Sequence, residues 1–141
     1  MTEYGRAGIG VLVAALLVSV TACADDYIEV RSVIEWDLAG VQVTLPDHFD
    51  VGVPAPVSVM TLRVICDKDG RTVVTEDGLL VVIEPYDLKN IKSTACPDAG
   101  ISGPRTANVI VGQAGEVTVR VIGLSGVQNS VITVEYTVPA Q

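Results

Sequence analysis

Ser130-Val-Ile-Thr-Val-Glu-Tyr-Thr-Val138 places Ile132, Val134, Tyr136 and Val138 two residues apart, with Thr133, Glu135 and Thr137 between them. A period of two belongs to a β-strand with one face on a core, because successive side chains of a strand point to opposite sides. Upstream, Glu116 to Ile122 repeats the pattern with Val117, Val119 and Val121 on one face. Ala107 to Val111 adds a shorter run, and glycine-rich turns at Gly112 to Gly115 and Gly123 to Gly126 separate the three.

Working back from this third of the chain, the same grammar continues. Tyr27 to Trp36 reads as a first strand, and Val41 to Leu45 as a second closed by Pro46. Pro54-Ala-Pro56 reads as an extended connection. Val57 to Cys66 carries Met60, Leu62, Val64 and Cys66 on one face and Val57, Val59, Thr61, Arg63 and Ile65 on the other, and the first set is expected to face inward. Asp69-Gly70 is a preferred pair for a tight hairpin, which predicts that Arg71 to Thr75 returns against the preceding strand. Glu76-Asp77-Gly78 is a further turn, and Leu79 to Glu84 is apolar enough for a strand buried on both sides, with Pro85 expected to stop it. The stretch from Pro85 to Arg105, punctuated by Asn90, Pro97, Gly100, Gly103 and Pro104, reads as a long loop.

Seven to eight antiparallel strands without an amphipathic helix predict an all-β domain, an immunoglobulin-like β-sandwich over residues 27–141. Trp36 precedes both Cys66 and Cys96, whereas the buried tryptophan of true immunoglobulin domains lies between the paired cysteines, so the expectation concerns architecture and not family.

The 141 residues carry 17 acids and 9 bases, a formal charge of −8. Glu3 and Arg6 are the only charges before residue 23, so the remainder keeps the whole excess. Arg31, Arg63, Arg71, Lys89, Lys92, Arg105 and Arg120 are dispersed among acids and form no basic stripe, which sets nucleic acid aside as a partner.

Ala7 to Ala22 is built from Gly, Ile, Val, Leu and Ala, interrupted by Ser19 and Thr21. A spanning helix needs about 20 apolar residues, and this shorter run suits the apolar core of a signal peptide. It ends in Val20-Thr21-Ala22-Cys23, which resembles the lipobox of bacterial lipoprotein precursors. The resemblance covers residues 1–23. It implies cleavage after Ala22, a diacylglyceryl group on the Cys23 thiol, and a lipid anchor on the extracytoplasmic face of a bacterial membrane. Residues 1–22 are then the signal peptide, and residues 23–26 the attachment point and a tether reaching about 10 to 15 Å. An ordinary secretory signal cut after Ala22, or a signal anchor, fits the same run, but neither gives Cys23 a purpose.

With Cys23 assigned to lipid, Cys66 and Cys96 remain as an even pair, and outside the cytoplasm they read as one disulfide. Neither has the CxxC spacing of a redox motif, and further Cys or His ligands for zinc do not exist.

Residues suited to catalysis are few. His48, in Pro46-Asp47-His48-Phe49-Asp50, is the only histidine, and with Asp47 and Asp50 it could hold a metal or relay a proton; turn composition explains the segment more simply. Ser125 lacks the flanking pattern of a nucleophile elbow, and Asp67-Lys-Asp69-Gly70 lacks the later ligands of a calcium loop. The expected role is therefore non-catalytic binding of an envelope protein or other envelope component. It needs no cofactor and no metal, and it uses the cysteine-pinned loop with Tyr86, Lys89, Lys92 and Pro97 as candidate contacts. Two other readings stay open: a structural or phage-encoded superinfection-exclusion lipoprotein, and a small metal protein or hydrolase centred on His48.

Overall fold

The computed structural model describes residues 26–38, 40–92 and 94–141. Residues 1–23, which the sequence reading takes as a signal peptide ending in a lipobox with Cys23, lie outside the described residues. Among the described residues there are nine strands and no helix: β1 (Tyr27–Arg31), β2 (Val33–Glu35), β3 (Val43–Thr44), β4 (Ala55–Val64), β5 (Lys68–Asp77), β6 (Leu80–Asn90), β7 (Gly100–Val109), β8 (Gly115–Ser125) and β9 (Val131–Ala140). They form one open, mixed, hydrogen-bonded network.

The expected all-β class holds. Nine strands stand where seven to eight were expected, in part because the first is cut at Ser32. Two pairings, β6 with β8 and β2 with β8, are parallel, where only antiparallel ones were expected.

The alternating runs behave as their period requires. Val117, Val119 and Val121 of β8 are fully buried, and β9 packs Ile132, Val134, Tyr136 and Val138 on the same core. Phe49, the largest fully buried side chain, closes that core from a loop by donating its amide to Pro139 O and accepting from Gln141 N, both at 2.9 Å. In β4 the expected faces are reversed. Val57, Val59 and Thr61 are buried while Met60 and Leu62 are half-buried and Val64 is exposed. Both faces of this strand are largely apolar, so the period could not choose between them. Arg63, on the inward set, lies where the strand leaves the core and reaches Asp69 Oδ1 and Asp67 O, each at 2.8 Å.

Four boundaries move. Ala55 and Pro56 belong to β4 and are not a connection. β5 does not fold back on β4; it pairs with β6, while β4 pairs along its whole length with β7. The hairpin turn is at Gly78-Leu79, where Gly78 has φ +62°, a left-handed conformation open to glycine at the first position of a two-residue turn. Asp69-Gly70 instead lies in an irregularity of β5 between Asp69 and Thr72. There the chain passes so close to β6 that a Cβ on Gly70 would lie 2.6 Å from the Tyr86 carbonyl oxygen.

Pro85 does not stop β6, which runs on to Asn90. A proline inside a strand removes one ladder donor, and here the position tolerates it. Pairing of β6 with β8 ends at Ile83, pairing with β1 begins at Tyr86, and the β5 irregularity ends at Thr72 opposite Pro85. Pro85 sits at the handover, and its carbonyl accepts from Ser32 N at 2.9 Å. The long loop expected from Pro85 to Arg105 shrinks accordingly to residues 91–99, with Gly103 and Pro104 inside β7.

Candidate functional site

Ser32 divides the first strand because its two backbone groups serve different neighbours: its amide donates to Pro85 O of β6, and its carbonyl accepts from Leu124 N of β8. β1 therefore follows β6, whereas β2 lies between β8 and β4. The β2–β4 ladder consists of the single pair Val33↔Leu62. Beyond that pair the two chains separate, and a groove of about 500 Å3 opens between them. Val30 and Arg31 line one wall and Arg63 and Val64 the other, Val33, Leu62 and Leu124 form the floor between them, and Asp98 to Gly100 and the β8–β9 turn close the ends.

The disulfide fastens one rim of this groove. Cys66, just after β4, is bonded to Cys96 in the 91–99 connection, with Cα atoms 5.9 Å apart. Ile65 N donates to Ala99 O at 2.9 Å beside it.

Beneath the groove lies a charged cluster that composition did not reveal. Asp87 is 4% exposed and Arg105 7%. The Arg105 guanidinium meets the Asp87 carboxylate, reaches Asp69 Oδ1 at 3.0 Å and donates to Gly70 O at 3.0 Å. β7 pairs only with β4, so these contacts join it to β5 and β6 across the interior. Arg31 and Glu84 form a further pair at 2.7 Å on the neighbouring strands.

Burial pushes the Asp87 carboxyl above the ordinary aspartate range, and the Ser32 hydroxyl and Arg105 offset only part of that. The Ser32 hydroxyl is itself buried beside Asp87 without completing a hydrogen bond of ordinary geometry. Between the unfolded and the raised folded pKa the folded state holds a proton that the unfolded chain has lost. Stability therefore falls as pH rises through that window and is level with respect to this group above it. Urea unfolding of the wild type and Asp87→Asn across mildly acidic pH checks this. The wild type is expected to lose stability relative to the variant as pH rises from about 4. A difference that is flat or rises over that range would refute the raised pKa.

The predicted contact residues separate. Lys89, on β6, lines the groove and has no ion-pair partner among the described residues. Tyr86 lies opposite Arg31 in the β1–β6 ladder, with the Arg71 guanidinium 5.6 Å from its ring centre. Lys92 is ion-paired with Asp26, and Pro97 is exposed in the 91–99 connection. Sequence reasoning missed Asp87, Arg105 and the two groove walls. The one local signal was the polar Ser32 inside an otherwise continuous β pattern.

His48 and Asp50 flank the buried Phe49 and so point outward, with His48 Nε2 3.6 Å from Asp50 Oδ1. No group of three or more His, Cys, Asp or Glu side chains arranged to hold a metal occurs among the described residues. Ser125 is buried at the end of β8, where its amide donates to Ser130 O and its carbonyl accepts from Asn129 N, a turn role. Comparison with known protein families, with curated protein sequences and with solved structures finds no match.

Proposed function

We propose that this chain is an exported, lipid-anchored domain that binds an envelope protein or other envelope component without catalysis, using the groove at its cysteine-fastened end. The observation that carries the reading is the Cys66–Cys96 disulfide. Such bonds persist in oxidising compartments, and this one accounts for two of the three cysteines, leaving Cys23 at the end of the apolar run. The groove supports the binding role, since an apolar floor of Val33, Leu62 and Leu124 is bordered by charges, the usual make-up of a recognition site. An immunoglobulin-like sandwich is the finer architectural reading. It is supported by a core drawn together from β4, β6, β7 and β8 and by the Arg105 contacts that reach from β7 to β5 and β6.

Intact mass spectrometry of membranes from cells expressing the wild type and Cys23→Ala tests the anchoring. The expected wild-type mass begins at Cys23, carries acyl chains, and rises by about two daltons on reduction; the variant carries no acyl chains. A chain retaining residues 1–22, or one lacking acyl mass, would reject the anchor.

A further inference from the structure

The groove is an interrupted sheet seam, and its walls keep the direction they would have had in a closed ladder. In β4, Ile65 N donates to Ala99 O next to β7, whereas Met60 N donates to Gln42 O on the other side. Backbone groups alternate sides along a strand, so Leu62 and Val64 turn their amides away from β7, toward β2 and the groove. In β1, Ser32 N donates to Pro85 O, and Asp26 O accepts from Ile91 N, so the even-numbered residues serve β6. The backbone groups of Glu29 and Arg31 therefore turn away from β6.

Arg31 and Val64 would be the next hydrogen-bonded pair after Val33↔Leu62, and no ladder pair joins them. The β1 wall thus offers an unextended strand edge at Glu29 and Arg31, and the β4 wall offers the Val64 amide alone, because the Val64 carbonyl already accepts from Asp67 N at 2.9 Å; Val33, Leu62 and Leu124 form the floor between them. Lys89, Asp67 and Asp98 line the groove without an ion-pair partner among the described residues, Asp67 accepting from Asn90 N, so the lining carries one unpaired positive and two unpaired negative charges.

We infer that this groove takes an extended peptide segment of a partner protein by strand addition, with its backbone on the Arg31 edge of β1 and against the Val64 amide, and an apolar side chain on the Leu62–Leu124 floor. The inference rests on the binding role proposed above and names its ligand class. Backbone pairing supplies affinity in this mode, and alternate side chains supply selectivity. These charges suit a segment that carries a basic residue toward Asp67 and Asp98 and an acidic one toward Lys89, beside its apolar residue.

The test uses the full chain in detergent, immobilised and challenged with a displayed library of random heptapeptides. Enriched peptides are then measured for affinity and for hydrogen-exchange protection. The expected peptides contain a central apolar residue and slow exchange in the segments around Arg31 and Val64. Val64→Pro deletes one groove-facing amide that the β7 ladder does not use and is expected to weaken binding about tenfold. Lys89→Glu, at an exposed position, is expected to shift selection away from acidic peptides while leaving thermal unfolding unchanged, which keeps the test decisive if the proline variant is unstable.

Peptides that protect another surface, or that bind both variants as they bind the wild type, would overturn the inference. A concentration-dependent dimer that protects the same segments without peptide would overturn it too, by making a second copy the occupant. Lipidation is read by mass and peptide capture by exchange, so failure of the anchor and failure of the groove are distinguishable.

Discussion

Arg105→Ala is expected to lower stability by about 3 to 5 kcal/mol, the usual consequence of removing one partner from a buried ion pair. The loss comes from the survivor: Asp87, almost wholly buried, would keep its desolvation cost without the guanidinium that faces it. Gly70 O would lose its donor, and β7 its connection to β5 and β6. For a domain of this size the melting temperature should drop by about 10 to 20 °C. Arg105→Met combined with Asp87→Leu removes both charges and is expected to recover a large part of the loss, because an apolar pair of similar volume has nothing left to desolvate. Asp69 would keep Arg63 at 2.8 Å in that double variant. Urea unfolding of the wild type and both variants decides the matter. A single variant within about 0.5 kcal/mol of wild type would mean that the pair is not buried in solution.

Removing the disulfide should rank close behind. Cys66 and Cys96 are 30 residues apart, and releasing a closed loop of that length costs roughly 3 to 4 kcal/mol in the chain-entropy model. The effect should be uneven across the molecule. β4 and β7 are held by an unbroken ladder from Ala55↔Val109 to Val64↔Gly100, so they should keep their exchange protection. Residues 91–99, fastened by Cys96, should lose theirs, and with them the groove loses Asp98 and Ala99 from its rim. Cys66→Ser with Cys96→Ser, compared with the wild type under reductant, checks both parts. An unchanged melting temperature would show that the bond does not form in the folded protein.

The regular part of the fold was legible where one strand face was apolar and the other polar. Val117, Val119 and Val121, and Ile132 to Val138 on β9, fell on the core side as their spacing required. Legibility failed where local rules met a tertiary arrangement. Pro85 reads as a stop, yet its missing amide coincides with the exchange of one neighbour for another. Asp69-Gly70 reads as a hairpin, yet glycine is needed there for a close passage over Tyr86. Arg105 and Asp87 read as surface charges, because their residue types are rarely buried and only the fold shows that each covers the other. The groove was least legible of all. It arises from a ladder that ends after one pair, and no residue beside it announces that ending.

The parallel pairing of β2 with β8 also orders events in time. Val33 finds Leu124 only after more than half of the chain has followed it, and β1 likewise waits for residues 86–90 of β6. A polypeptide emerging from its N-terminus first would pair β3 with β4, β5 with β6 and β8 with β9 as sequence neighbours, while β1 remains single until β6 follows. Such non-local closure places folding in the millisecond-to-second range typical of sheet proteins. A nascent chain stalled before Gly115 would still expose Ile34, whose seat beside Gly123 does not yet exist. The first described strands to be synthesised would thus be among the last to find their place.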